Sequence, residues 1–238
     1  MIQTQAKVVD IQYSANKLVA YITFVPEQIF EFHGWQFAFI EIPDIQDADG
    51  KALKRAYSIW SSNAQLQTQW TFTTLVKKTR NGGMSDYLTN KLQVGDSIKC
   101  TAPLGHLGKE SKSDTYLLIS TGSWLTPIYS MYQTLITSWQ YTKIAHIFGE
   151  RQQENLIDSI INARQETDTI RHYLHLSQDT KTDRQPGHIQ ASLDKALAFL
   201  DTSNIQVYIC GKPTMVEDIV EQLVQKWISP ENVAFEKY

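Results

Sequence analysis

The stretch Leu118, Ile119, Ser120, Thr121, Gly122, Ser123, Trp124, Leu125, Thr126, Pro127 passes from apolar residues through small ones into a segment that opens at a proline. A strand, a small-residue turn and a helix start in that order form the arrangement in which an open parallel sheet receives a nucleotide. Val207, Tyr208, Ile209, Cys210, Gly211, Lys212, Pro213, Thr214, Met215 repeat it, with glycine and then proline starting another helix. Two such strand ends can flank one crevice. Around them, from Thr115 onward, the strand-like runs Tyr116 to Ile119, Ile144 to Phe148 and Ile205 to Cys210 alternate with helical periodicity, as in Met215, Ile219, Val220 and Leu223. That alternation predicts βα units on a parallel sheet.

The preceding part of the chain has a different pattern. From Val8 to about Cys100 short apolar runs (Lys17 to Phe24, Gln36 to Ile42, Ala56 to Trp60, Trp70 to Val76, Ser97 to Thr101) are broken by turn residues. Short strands at close spacing predict an antiparallel barrel or sandwich. Gly108, Lys109, Glu110, Ser111, Lys112, Ser113 and Asp114 offer no apolar side chain to bury, so the boundary falls there, between a domain over 1–110 and a domain over 111–238.

Composition narrows the function. With 238 residues, 42% hydrophobic and 20% charged, the chain is an ordinary globular protein, large enough for one large domain or two small ones. The formal charge of -3 excludes a basic platform for nucleic acid. The first 110 residues carry 11 basic and 10 acidic side chains and the remainder 11 and 15, with Lys77, Lys78 and Arg80 clustered in the first domain. Such a cluster either steers an acidic partner or is a solvated turn. The apolar stretches are far shorter than the roughly 20 residues that cross a bilayer, and the first residues, Met1 to Gln5, lack a secretory pattern, so a cytoplasmic monomer with no membrane span is expected. Two cysteines, Cys100 and Cys210, cannot hold an iron-sulfur cluster, which needs about four. An electron-transfer role would use another redox centre.

Two constellations in the first half carry chemistry. Arg55, Ala56, Tyr57 and Ser58 end an apolar run. A guanidinium grips phosphate, a phenol ring covers a planar heterocycle, and a hydroxyl bonds a ring nitrogen. In a regular strand Arg55 and Tyr57 share one face and Ser58 the other, unless a bend brings all three to one rim. Gly82, Gly83, Met84 and Ser85 form either a diphosphate cradle, with Ser85 capping a short helix, or a plain turn before that helix. His172 and His175, three apart in a strand, face opposite ways and predict no shared metal.

With these segments in this order, the chain resembles the ferredoxin-NADP reductase superfamily, particularly its compact bacterial ferredoxin or flavodoxin reductases. Gly34, Trp35, Gln36 and Phe37 resemble the opening Gly-Gln-Phe strand, Arg55, Tyr57 and Ser58 the Arg-x-Tyr-Ser flavin motif, and Gly83, Met84 and Ser85 the flavin diphosphate motif. Gly95, Asp96, Pro103 and Gly105 match the pairs that close the flavin barrel; Gly149 and Arg151 match the second nucleotide strand end. Ser177 matches the Ser-Arg position, and Cys210, Gly211, Pro213 and Met215 the Cys-Gly-x-Pro-x-Met motif. Phe235, Glu236, Lys237 and Tyr238 resemble the acidic and aromatic ending; unaligned, they would read as a frayed tail.

The resemblance implies an FAD-binding antiparallel barrel followed by a Rossmann-like NAD(P)-binding domain. FAD, rather than FMN, follows from the diphosphate cradle. Tyr57 would pack on the flavin ring, Arg55 would hold its phosphate, and Ser58 would bond near N5, which accepts hydride. Ala56, Thr74, Val76 and Gly82 would complete the flavin site. Gly122, Ser123, Thr126, Arg151, Ser177 and Gly211 would hold NAD(P)H, Cys210 and Glu236 would border the nicotinamide, and Tyr238 would cover the flavin until nicotinamide displaces it. Electrons would pass to a separate ferredoxin or flavodoxin.

Three departures from the family pattern involve four positions. Trp124 stands where a second glycine is usual and narrows the space for a pyrophosphate; Gln178 and His188 stand where arginines select the 2′-phosphate, leaving Arg151 and an open choice between NADH and NADPH. Trp60 replaces a small residue and makes the flavin edge bulkier. Besides the reductase, two further functions are consistent with the sequence: a partner-fed flavin subunit whose nicotinamide site Trp124 blocks, and a reductase component serving an oxygenase or reducing free flavin.

Overall fold

A computed structural model describes the chain except residues 47–49, 80, 106–110, 112, 139, 158–165, 180–184 and 238, with backbone alone at 43, 44, 185 and 186. It divides into two compact units, Met1–His106 with Tyr129–Thr137, and Leu107–Ile128 with Ser138–Tyr238. The polar boundary stretch lies mostly outside the described residues.

The first unit is built on β1 (Ile2–Tyr13), β2 (Val19–Pro26), β3 (Phe37–Gln46), β4 (Ala52–Ser58), β5 (Phe72–Lys77) and β6 (Ser97–Leu104), in the antiparallel order β4-β3-β6-β1-β2-β5. Alternation drives it: β2 turns Ala20, Ile22 and Phe24 into the core. The sheet closes on itself where its two edge strands meet. Trp60 N–H donates to Thr73 O at 2.8 Å, and Thr74 Oγ1 donates to Ser58 O at 2.8 Å, so the barrel seam falls at the end of β4. Two short helices, α1 (Asn63–Gln69) and α2 (Met84–Asn90), sit on this frame.

Several boundaries differ from the sequence expectation. β1 was absent from it because ten of its twelve residues face away from the core or only partly into it, and its register shifts between Val8 and Asp10. Gly34 and Trp35 form a turn before β3 rather than strand. The expected strand over Ala56 to Trp60 ends at Ser58, and Trp70 is the left-handed cap of α1, at φ +59°, rather than the start of β5. α1 itself was hidden by a polar sequence with Leu66 as its buried residue, although Ser62 caps it by accepting from Gln65 N–H at 3.2 Å.

The second unit contains β7 (Thr115–Thr121), the first turn of α3 (Leu125–Ser138), β8 (Lys143–Glu150), β9 (Ile170–Leu176), β10 (Gln185–Pro186), α4 (Leu193–Phe199), β11 (Ile205–Gly211), α5 (Pro213–Gln225) and β12 (Val233–Lys237). The sheet is parallel in the order β10-β9-β8-β7-β11-β12. Its central strands β7 and β8 are buried nearly end to end, as expected of strands covered on both faces. Leu117, Ile147, Val207 and Ile209 form its core with Val216, Ile219 and Leu223 of α5. Tyr129–Thr137 of α3 groups with the first unit. Phe235, Glu236 and Lys237 are not a frayed tail: they pair with Ile209, Cys210 and Gly211 as an edge strand. Among the described residues no helix is long and apolar enough to cross a membrane.

Candidate active site

At the barrel seam Arg55 and Ala56 are exposed while Tyr57 and Ser58 are half-buried, so the simple alternation gives way at the strand end. Tyr57 packs against the barrel core, and burial raises its phenol above the ordinary range, opposed by the Arg55 charge. A neutral ring with an apolar underside suits coverage of a planar heterocycle. Arg55 Nη1 donates to Lys54 O at 2.6 Å, a bond to an exposed carbonyl that a phosphate can replace. Thr74 and Val76 are buried: the Thr74 hydroxyl is committed to Ser58 O and Val76 belongs to the core, which leaves their backbone to face a ligand.

The glycine turn differs from the cradle expected of it. Gly83, not Ser85, occupies the N-cap of α2, and no side chain caps that helix. Ser85 instead accepts from Thr79 N–H at 3.2 Å, and Met84 is buried in the core. Gly82, at φ +75° with nothing within 4 Å of a built Cβ, donates its N–H to Asp86 Oδ2 at 2.9 Å. Asp86 also receives Asn90 Nδ2 at 2.6 Å and pairs with Lys78 at 2.8 Å, contacts that hold its carboxyl down at about 2. The first-turn amides of α2 remain without helical acceptors. Lys78 of the basic cluster is thus engaged, and Arg80 lies outside the described residues.

Trp60 corrects another expectation. Its indole is buried, stacked on Tyr129 at 4.1 Å and edge-on to Tyr21 at 5.7 Å, so its bulk fills the unit's interior instead of widening a rim.

In the second unit the carboxyl edge of the sheet gathers Thr121, Gly122, Gly149, Glu150, Cys210 and Gly211. Gly122 turns at φ +58° into a 3-10 segment, Gly122–Trp124, so α3 begins at Leu125, two residues before the proline. Ser123 and Trp124 are half-buried, and Thr126 is buried with its hydroxyl donating to Ser123 O at 2.9 Å. Thr121 Oγ1 is buried without a hydrogen-bond partner among the described residues, and a Cβ on Gly211 would lie 2.9 Å from it and overlap Met215 Cε. A bare backbone beside an unspent hydroxyl suits a ligand's polar edge.

Cys210 is fully buried, opposite Glu236 in register. Burial, and secondarily the Glu236 charge, pushes its thiol well above the usual range, so it is neutral at neutral pH. Arg151 and Ser177 are exposed at neighbouring strand ends, where Ser177 N–H donates to Glu150 O at 2.9 Å and Gln178 N–H to Arg151 O at 2.8 Å. Tyr238 lies outside the described residues. Sequence reasoning missed Glu150 and Asn155, which are buried and joined at 3.0 Å; an acidic residue directly after the Gly149 strand end was the available signal.

Comparison with known proteins agrees with this architecture. Residues 17–108 match the oxidoreductase FAD-binding domain and residues 118–221 the oxidoreductase NAD-binding domain. Among curated relatives, the toluate 1,2-dioxygenase electron transfer component of Pseudomonas putida is 24% identical over 85% of this chain and 57% of its own length. The anthranilate 1,2-dioxygenase electron transfer component of Acinetobacter baylyi is 25% identical over 87% and 58%. The chain thus spans about six tenths of the length of such relatives. A ferredoxin NADP+ reductase from Neisseria gonorrhoeae, solved with FAD and NADP, superposes with a TM-score of 0.82 at 19% identity over 99% of this chain and 98% of that one. The chain thus carries an oxidoreductase FAD-binding domain followed by an oxidoreductase NAD-binding domain, in the fold of the ferredoxin NADP+ reductase structure.

Proposed function

We propose that this chain oxidises NAD(P)H through bound FAD and passes the electrons singly to a separate protein carrier, ferredoxin or flavodoxin, with residues 1–110 holding the flavin and 111–238 the nicotinamide nucleotide. The observation that carries this reading is the joint presence of a barrel seam ending in Tyr57 and Ser58 and a parallel sheet whose carboxyl edge pairs Cys210 with Glu236. Both cofactors fit the residues present: a half-buried Tyr57 ring and uncapped α2 amides on one unit, the unspent Thr121 hydroxyl and bare Gly211 on the other.

Bound FAD would supply the capacity to accept one hydride, with its two electrons, and release those electrons one at a time. The protein's residues do the rest. Tyr57 covers the ring face, and Ser58 Oγ, which no described residue engages, donates a hydrogen bond at the ring nitrogen that takes the hydride. Arg55 and the α2 amides bind phosphate oxygens. The neutral thiol of Cys210 and the carboxylate of Glu236 flank the nicotinamide without competing as nucleophiles. Two cysteines within these 238 residues provide no cluster ligand set, so the next redox centre lies outside these two units.

The curated relatives named as dioxygenase electron transfer components favour one narrower version, service to an oxygenase system. The half-buried Trp124 in the nucleotide turn favours the partner-fed alternative. Anaerobic mixing of the FAD-loaded protein with NADH and, separately, NADPH separates them. Bleaching of the flavin by either supports the reductase and refutes the blocked subunit; no bleaching by both refutes the reductase.

A further inference from the structure

The turn that ends α5 has a shape that favours glycine, and tryptophan fills it. Ile228 N–H donates to Leu223 O at 3.1 Å and Trp227 N–H to Val224 O at 3.0 Å, the two closing bonds of a Schellman cap, with Trp227 in its left-handed position at φ +66°. Leu223 and Ile228 both belong to the core of the unit, so the apolar pair that accompanies such a cap is in place without Trp227. The indole itself stands 95% exposed. Left-handed backbone strains a residue with a bulky side chain, and an indole in water forgoes the burial that favours aromatic rings. At a ring so exposed, the fold offsets neither cost.

Trp227 is not isolated. Glu217, Val220 and Val224 fall at i, i+3 and i+7 on a flank of α5 that runs toward it, and Val224 is 46% exposed. Lys237 Nζ bonds Glu217 Oε1 at 2.8 Å and lies 5.3 Å from the centre of the Phe235 ring, so Phe235, 44% exposed on the edge strand β12, borders the same flank. An apolar strip of Phe235, Val224 and Trp227 thus lies between a helix and a sheet edge. Its rim is acidic: Glu221 on the helix and Glu231 in the turn into β12 are exposed, whereas Lys226 and Lys237 are held by Asp194 and Glu217. A second copy of this face, brought up across a two-fold axis, would set acid against acid, while a basic surface is attracted. The 13 residues of α5 place Trp227 about 20 Å from the helix start beside Gly211, so a partner seated there leaves the carboxyl edge of the sheet open.

We propose that Trp227, Val224 and Phe235 form a docking strip for a partner protein that presents an amphipathic helix, its apolar face flanked by lysine and arginine. Trp227 is the anchor, since a large ring desolvated on contact carries most of the binding energy of such a surface, and Glu221 and Glu231 select the sign of the partner's charge. The surface is independent of the nucleotide and flavin assignments.

The probe is a fluorescein-labelled peptide of leucine and lysine with the helical apolar period, compared with a leucine-glutamate peptide of the same pattern and a serine-lysine peptide, each titrated with the FAD-loaded full chain and followed by anisotropy. The leucine-lysine peptide should bind about tenfold or more tightly than either other. Trp227→Gly should weaken it about tenfold or more, while raising the melting temperature by about 2–4 °C through release of the left-handed strain. Glu221→Lys/Glu231→Lys should weaken it several-fold, and the wild type should lose the same advantage in high salt. Trp70→Ala, which removes an exposed indole from the first unit, should leave binding unchanged. Failure of the leucine-lysine peptide to bind, equal binding of all three peptides, or equal loss in Trp70→Ala would overturn the proposal. Undiminished binding in Trp227→Gly would do so too, and a lowered melting temperature in that variant would assign the indole to the fold instead. A dimer in sedimentation equilibrium that Trp227→Gly dissolves would put a second copy on the strip and equally refute the basic partner.

Discussion

Replacing Gly34 by alanine should destabilise the first unit by about 3 kcal/mol, the upper part of the range for adding a methyl group to a filled interior. The cost comes from where the new Cβ would stand: 2.5 Å from Thr134 Oγ1, 2.8 Å from Ser130 O and 2.9 Å from Met131 Cα. Two of these atoms are backbone of α3, so side-chain rotation cannot relieve them. That helix segment is also tied to the chain just past the flavin motif, through Ser130 Oγ donating to Ser61 O at 2.9 Å, Gln133 Nε2 donating to Trp60 O at 3.0 Å, and the Trp60–Tyr129 stack. Pushing the helix away would strain those links two and three residues beyond Ser58. For a chain of this size, about 3 kcal/mol lowers the melting temperature by about 6–12 °C. Urea unfolding followed by tryptophan fluorescence measures the loss, and flavin fluorescence on dilution measures FAD release, which should become several-fold easier. Gly34→Ala/Thr134→Ala removes the hydroxyl contact alone and should recover less than half of the loss. A Gly34→Ala loss below about 0.5 kcal/mol, within the ordinary range for surface substitutions, or complete recovery in the double variant, would refute the backbone-contact reasoning.

Ser58→Ala should slow flavin reduction by NADH or NADPH about 10²-fold or more while changing FAD retention little, because the hydroxyl acts at the hydride-accepting nitrogen and not at a phosphate; parallel losses in stopped-flow rate and FAD affinity would contradict that role. Asp86 has its carboxyl lowered from 3.8 to about 2 by Lys78, the Gly82 amide and Asn90, so its stabilising contribution is complete above about 4 and is lost as pH falls toward 2. Asp86→Asn should therefore flatten the stability profile between pH 4 and 2, read from urea midpoints; an unchanged slope there would refute the assignment. Cys100, raised to about 12, and Cys210, higher still, are both buried, so neither should react with iodoacetamide at pH 8 until the protein is unfolded. Mass spectrometry counts the added groups, and a labelled native Cys210 would disprove its neutrality.

Much of this architecture is legible in local pattern. Unbroken apolar runs such as Tyr116 to Ile119 mark strands covered on both sides, and the glycine-to-proline steps after Thr121 and Cys210 mark helix starts at the carboxyl edge. β1 and α1 escape the same treatment because their inward faces are short and polar residues make up half of β1 and most of α1, so their existence depends on partners distant in sequence. The site follows the same division. Arg55, Tyr57 and Ser58 are found by residue type, whereas Trp60, expected at a rim, is drawn inward by Tyr21 and Tyr129, from β2 and α3.

Residue types and their spacing along the chain determine the two-domain class, the cofactor motifs and the acidic end of β8, because those features are written in contiguous segments. Closure of the barrel at Ser58, the commitment of Thr74 and the Gly82 amide to internal bonds, the register of Glu236 on Cys210, and the link of Glu150 to Asn155 come from tertiary structure alone. Each of these joins atoms separated by a turn or by a whole strand, and such contacts exist only after loop closure has been offset by burial of the core.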